Sequence, residues 1–196
     1  MADRVLLIGK RAAVLTRLQA ALREIGIEAD LTQDTRNAER DQLRKYAAVA
    51  FGRAVGESDR ARMRDAFRAA SPDVRFVDGL APITALLVAQ FEQALDRRPE
   101  DDRRLRSATV SDGQFELELR AEAQVRVTLY RLTRLYRTRT DVVLDERLQP
   151  GTHKVGLGRR LARTKEVFAV VRADDEVQVV PVRDDASGDD SEGVSR

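Results

Sequence analysis

The chain contains no cysteine, and this absence excludes a disulfide framework, a thiolate nucleophile and a thiolate metal site. His153 is its only histidine, so a metal site made of several histidines is also excluded. A long apolar run is lacking as well. The N-terminal run Val5 to Ile8 is too short for a signal peptide or a membrane span. We therefore expect a soluble, cytoplasmic protein without membrane association.

Charged residues are abundant but nearly balanced, with 35 Lys and Arg against 33 Asp and Glu. The balance fails only at the end of the chain, where residues 184–196 hold one arginine and five acidic residues. Because this acidic tail has almost nothing apolar to bury, we predict that it is disordered. The 196 residues suffice for one large domain or two small ones, each able to bury a core without disulfides.

The first half of the chain alternates short apolar runs with segments of helical periodicity. The runs are "RVLLIG" (4–9), "IEADL" (27–31), "AAVAFG" (47–52) and "VRFVDG" (74–79). Such runs are typical of parallel strands that are covered on both faces. Apolar stripes at helical spacing lie between them, and Pro82 precedes a third helical segment; the stripes are Val14, Leu15, Leu18, Leu22 and Ile25, and then Met63, Phe67 and Ala70.

The periodicity changes after residue 97. Residues 98–106 are charged and contain a proline, so we predict a linker there. After it, apolar residues alternate along "FELELRA" and "QVRVTLY", which places Phe115, Leu117 and Leu119 on one face and Val125, Val127 and Leu129 on another. Further short alternating runs follow, and Pro181 predicts that the last one is an edge strand.

These patterns predict an α/β domain followed by an all-β domain. We expect a small doubly wound parallel sheet of four strands, in the order 2-1-3-4, over residues 1–97. A small antiparallel β-sandwich is expected over residues 107–183, after the linker 98–106 and before the tail 184–196.

The element order of the first half resembles the receiver domains of response regulators, which have a flavodoxin-like fold. The family carries a phosphorylated aspartate after the third strand and an acidic pair after the first strand that holds magnesium. Here the first strand leads into Gly9, Lys10 and Arg11, and the third leads into Gly52 and Arg53. The resemblance therefore implies a receiver-like domain that cannot be phosphorylated in the usual way.

The second half resembles immunoglobulin and fibronectin sandwiches. The resemblance rests on the number of short strands and on "LQPGTHKVGL" (148–157), a proline-glycine turn into a strand. It implies a fold and carries no function with it.

One place in the first domain could bind a ligand. Open α/β sheets bind ligands at the carboxyl ends of their strands, where the strand order reverses. Neither a Walker loop nor a dinucleotide fingerprint is present, since Arg4, Arg11 and Val14 stand where such motifs need other residues. The residues expected there form a candidate site for a small anion or nucleotide: Gly9, Lys10, Arg11, Gly52, Arg53, Asp78 and Gly79.

A second candidate surface is the arginine-rich face of the sandwich. Arginines interleaved with tyrosines are typical of surfaces that bind single-stranded nucleic acid; those in question are Arg131, Arg134, Arg137, Arg139, Arg159 and Arg160. Acidic residues occupy neighbouring strands, however, and we predict that cross-strand ion pairs neutralise the arginines. In the first domain, we expect Arg60, Arg64 and Arg68 to form a solvated face relieved by Asp59 and Asp65.

The sequence thus favours a non-catalytic interaction or adaptor protein that has protein partners and no cofactor or metal. The alternatives are a sensor of a small anionic ligand, a weak nucleic-acid-binding protein and an enzyme of unrecognised type. For an enzyme, Asp78 is the one acid that we would nominate, and no histidine or second carboxylate lies near it in sequence.

Overall fold

The computed structural model describes residues 3–33, 43–79, 83–111, 113–132, 137–157 and 166–182. The chain divides into two compact units, residues 1–97 and residues 98–196, and each is described by itself. Within the described ranges, every helix is too short or too polar to cross a lipid bilayer.

The first unit is a parallel sheet of four strands in the order β2-β1-β3-β4, as the sequence predicts. Three helices occupy the connections and the end of the unit within its described residues. The elements are β1 (Arg4–Ile8), α1 (Ala12–Glu24), β2 (Glu28–Thr32), β3 (Ala48–Phe51), α2 (Glu57–Ala70), β4 (Arg75–Asp78) and α3 (Thr84–Leu95).

Both faces of this sheet carry an apolar core, which explains why its strands are continuous apolar runs. Val5 and Leu7 of β1 pack with α1 and α3 on one face. Leu6 and Ile8 pack with α2 on the other. The sheet is thereby sandwiched between helices, and ligands can reach it mainly at the ends of its strands.

The predicted helical stripes are largely confirmed. Leu15, Leu18 and Leu22 of α1 are buried, as are Met63 and Phe67 of α2. Val14 and Ala70 are half-buried. Ile25 is an exception, because its exposed fraction is 45%.

The apolar stripe predicted for α1 includes one residue, Ile25, that lies beyond the end of the helix. The helix ends at Glu24, and Gly26 adopts a φ of +82°, a conformation that favours glycine. Ile25 therefore belongs to the turn that leaves the helix. Pro82, predicted at the start of the third helix, lies outside the described residues.

The second unit contains two antiparallel sheets, in the orders β5-β6-β9 and β11-β10-β7-β8. Their strands are β5 (Leu105–Ser111), β6 (Gln114–Leu119), β7 (Ala123–Leu132), β8 (Thr138–Leu148), β9 (Gly151–Gly156), β10 (Glu166–Ala173) and β11 (Glu176–Val182). Residues from both sheets share one core, so the predicted α/β-plus-β fold class is confirmed. Strand β11, which carries Pro181, lies at a sheet edge as expected.

The alternating residues predicted to share a face do form this core. Phe115, Leu117 and Leu119 of β6 are buried, and Val125, Val127 and Leu129 of β7 are buried opposite them in the other sheet. The alternation of apolar and polar residues in these two strands therefore reflects one buried face and one solvated face.

The segment predicted as a linker contains structure. A 3-10 helix spans Glu100–Asp102, and β5 begins at Leu105, a strand that the sequence analysis does not identify. The carboxylate of Glu176, of which only 4% is exposed, accepts hydrogen bonds from the backbone N–H groups of Arg104 and Leu105 at 2.8 and 3.0 Å. Arg98 Nη1 lies 3.5 Å from the same carboxylate. A buried acid near the chain end thus fixes the start of β5.

We expect Glu176→Ala to lower the free energy of unfolding by about 2 to 4 kcal/mol, because two backbone donors lose their acceptor. Chemical denaturation of the full chain measures this change. Glu146→Ala is the control, since Glu146 is exposed, and it should cost less than about 0.5 kcal/mol. Equal effects of the two substitutions would contradict the assigned role of Glu176.

Candidate functional site

Three neighbouring strands of the first unit end in glycines, and the structure brings these glycines together. A Cβ atom on Gly52 would lie 3.4 Å from Gly9 Cα and 3.3 Å from Ile8 O. A Cβ atom on Gly79 would lie 3.3 Å from Phe51 O. Side chains larger than hydrogen would crowd the adjacent backbone here, so close packing of the strand ends accounts for glycine at these positions.

The N–H groups of the same glycines are already used. Gly9 N donates to Thr32 O at 3.2 Å, Gly52 N to Ile8 O at 2.8 Å and Gly79 N to Phe51 O at 3.1 Å. Each bond extends the ladder of the sheet by one residue. The glycines therefore shape the edge of the sheet, and their N–H groups are not available to an anion.

In contrast to the glycine N–H groups, two cationic side chains at the N-terminus of α1 are accessible to a ligand. Lys10 and Arg11 are exposed, and neither side chain has an ion-pair partner in the described part of the chain. Arg11 is the N-cap residue, no side chain caps the helix, and its first turn holds no acid. This helix end therefore presents positive charge from the backbone and from two side chains. Arg53 is also exposed, and it lies in the turn between β3 and α2.

Asp78, at the end of β4, is held by two arginines of α2. Arg64 Nη2 lies 2.5 Å from Asp78 Oδ2, and Arg60 Nη1 lies 3.6 Å from Oδ1. Both carboxylate oxygens are therefore engaged, which leaves Asp78 poorly placed to bind a metal or to act as a base. The described residues contain no group of acidic or histidine side chains that could hold a metal ion.

Arg60 also stabilises the turn between β3 and α2. Its Nε donates to Val55 O and its Nη2 donates to Gly52 O, both at 3.1 Å. Only 16% of the side chain is exposed. Since one guanidinium satisfies two backbone carbonyls and contacts Asp78, it joins the ends of β3 and β4 to α2.

The prediction that Arg60, Arg64 and Arg68 form a solvated face is wrong for the first two. The guanidinium of Arg64 lies over the rings of Phe51 and Phe76, at 5.5 and 5.9 Å from their centroids. Arg68 is exposed, and its guanidinium also contacts Phe76, at 5.3 Å. The long arginine stems fold onto aromatic residues of β3 and β4, a tertiary contact that helical spacing does not reveal.

The predicted relief of this row by Asp59 and Asp65 also fails in part. Asp59 pairs with Arg62, at 3.1 Å. The charges of Arg60 and Arg64 are instead balanced by Asp78 and by Glu57, which lies 4.0 and 3.9 Å from them. The ionic partners thus come from the first turn of α2 and from β4.

A second cluster of charged and polar side chains, which the sequence patterns do not predict, surrounds Asp30 of β2. Tyr46 Oη donates to Asp30 Oδ2 at 2.8 Å, and Lys45 Nζ and Arg4 Nε lie 3.3 and 3.5 Å from the same oxygen. Burial raises the pKa of Asp30, but the hydrogen bonds from Tyr46 and Lys45 and the nearby cations outweigh it and hold that pKa below its usual value. Burial, followed by the bond to Asp30, raises the pKa of Tyr46.

This cluster ties β2 to the segment before β3. One oxygen of the Asp30 carboxylate accepts a hydrogen bond from the phenol of Tyr46 and lies near two cations. Because Asp30 and Tyr46 are sixteen residues apart, no local motif indicates their contact.

On the sandwich, the predicted neutralisation by cross-strand ion pairs is seen for one of the six candidate arginines: Arg131 pairs with Asp141. Ion pairs of residues outside the candidate set include Arg126 with Asp145, Arg106 with Glu118, Lys154 with Glu116 and Arg147 with Glu122. Arg137 and Arg139 are exposed. Arg134, Arg159 and Arg160 lie outside the described residues.

We expect Arg60→Ala to lower the free energy of unfolding by about 2 kcal/mol, because two backbone carbonyls and Asp78 lose a donor. Arg62→Ala is the matched control on the same helix. It removes an exposed ion pair to Asp59 and should cost less than about 0.5 kcal/mol. Urea denaturation measures both, and a cost for Arg60→Ala no larger than that of the control would contradict this role.

No protein-family model matches the sequence, and no curated protein matches it significantly. The structure does show the architecture, a parallel α/β sheet in the order 2-1-3-4 followed by antiparallel sheets of four and three strands.

Proposed function

We propose that this protein is a non-catalytic interaction or adaptor protein. Its first unit is a receiver-like domain that does not accept a phosphoryl group, and its second is an immunoglobulin- or fibronectin-like sandwich; both present surfaces to protein partners. The observation that carries the proposal is that β1 and β3 lead into glycines and cations, where the receiver family needs carboxylates. The nearby carboxylate of Asp78 is paired with Arg60 and Arg64.

Receiver chemistry needs a free carboxylate and a magnesium ion at the carboxyl edge of the sheet. In this chain β1 and β3 end in glycines followed by cations. Asp78 is engaged by guanidinium groups, and α2 adds positive charge beside it. These features support a domain that has a receiver-like fold but does not carry out phosphoryl transfer. Its function would then depend on the surface that it presents to partners.

The charge arrangement of the sandwich supports a protein partner over a nucleic acid. Binding to phosphates depends on cations that can release condensed counterions. Arg131, Arg126 and Arg147 already pair with acids in neighbouring strands or turns. A surface on which arginines are paired with acids is better suited to binding a protein that carries both signs of charge than to binding a nucleic acid. Complementary charges then contribute to the specificity of that binding.

The full-length chain, immobilised and exposed to extract of its source cells, should retain a protein saturably, and free chain should compete for it. Heat-unfolded chain is the control for nonspecific adsorption. Retention that nuclease treatment removes would contradict the proposal, and so would the absence of saturable protein binding at near-physiological concentration.

A second candidate function is a sensor of a small anion, such as a nucleotide or sugar phosphate. The observation that favours it is the pair Lys10 and Arg11, which are exposed at an uncapped helix N-terminus and have no ionic partner in the described ranges of the chain. Since the glycine N–H groups are used in the sheet, the ligand would rest on α1 and these two side chains.

Thermal unfolding against a panel of nucleotides, sugar phosphates and polyanions tests this function. A ligand at about a hundred times its Kd should add about 2.7 kcal/mol to the stability of the unit. Lys10→Glu with Arg11→Glu should abolish the shift. Arg17→Glu with Arg23→Glu, exposed cations of the same helix, should retain it. No shift with any compound, or equal loss in both variants, would exclude the site.

A further inference from the structure

The two edge strands of the parallel sheet each expose a few backbone groups. Glu28 N donates to Asp3 O, and Thr32 O accepts from Gly9 N, so these two residues of β2 face β1. Because successive residues of a strand face alternate sides, Ala29 and Leu31 direct their N–H and C=O groups away from the sheet.

The same reasoning applies to β4 at the opposite edge. Arg75 N donates to Ala47 O and Gly79 N donates to Phe51 O, so the alternate residues Phe76 and Asp78 face outward. Each edge thus offers two outward residues to which another strand could add. Neither strand contains a proline, and neither pairing has a bulge, two devices that commonly protect sheet edges.

A glutamine occupies one outward carbonyl at each edge. Gln19 of α1 donates from Nε2 to Ala29 O at 2.6 Å. Gln90 of α3 donates from Nε2 to Asp78 O at 2.9 Å. Two different helices therefore each place a glutamine on an edge strand, one near the start of β2 and one at the end of β4, and each removes one of the two outward acceptors from its edge.

While the Nε2 atom of Gln90 makes this hydrogen bond, the oxygen of the same amide group is left without a donor in the described part of the chain. This oxygen, Oε1, is buried. An unpaired buried acceptor is unfavourable, and an apolar side chain of similar size would avoid it. Packing alone therefore does not account for a glutamine at position 90. The hydrogen bond from its Nε2 to Asp78 O, an outward carbonyl of β4, accounts for it better.

We infer that Gln19 and Gln90 protect the edges of the parallel sheet against strand addition by a second copy of this chain. A strand that approaches β2 or β4 meets a carbonyl oxygen that already accepts a hydrogen bond from a glutamine. The inference is independent of the proposed function, since it concerns the backbone of the sheet and holds for a sensor as well as for an adaptor.

The test is sedimentation velocity of the full-length Gln19→Met, Gln90→Met double variant over about a hundredfold range of concentration. Methionine keeps the length of the side chain but cannot donate a hydrogen bond. We expect self-association at concentrations about tenfold lower than for the unsubstituted chain, with slower hydrogen exchange at the amides of Leu31 and Phe76. The melting temperature of Gln90→Met alone should be unchanged or higher.

Thr16→Met with Ala85→Met is the matched control, because both residues are exposed on the same two helices and the control also introduces two methionines. This control should associate no more than the unsubstituted chain. Equal association of the two double variants would overturn the inference. Failure of Gln90→Met to fold would also overturn it, since the glutamine would then be required for stability.

Discussion

The guanidinium group of Arg60 supplies hydrogen bonds to two carbonyls in the turn after β3, and the carboxyl edge of the first unit depends on it. Without this donor, Gly52 O and Val55 O would lack their partner on α2. The same group reaches Asp78, and Arg64 completes the pair while lying on the rings of Phe51 and Phe76. The end of β4 thereby carries an ionic and aromatic cluster that joins it to α2.

The order and type of the strands could be predicted because they follow from local composition. Apolar runs that end in glycine indicate parallel strands covered on both faces, and strict alternation in β6 and β7 indicates one buried face. The arginines of α2 could not be interpreted in this way. Arg60 and Arg64 lie on one helix face, which is equally typical of a solvated surface, and Arg64 reaches its partner Asp78 only through a contact fourteen residues away.

Strand β5 was missed for a related reason. Its inward residues include Leu105 and Ala108, but arginines at 103, 104 and 106 give the segment the composition of a linker. The interaction that fixes its start comes from Glu176, about seventy residues later in the chain. In both units, therefore, side chains that satisfy backbone groups of distant segments are the feature that local patterns do not reveal, and Gln19 and Gln90 act in the same manner at the edges of the sheet.

The most direct measurement is the intact mass of the full chain after incubation with acetyl phosphate and magnesium. The first unit has glycine and cations after β1 and β3, and its Asp78 is held by Arg60 and Arg64, so it should gain no phosphoryl group, even at long incubation. A stoichiometric, hydroxylamine-sensitive phosphoryl adduct on any carboxylate of the first unit would contradict the account, because it would show that the unit accepts a phosphoryl group without a carboxylate after β3.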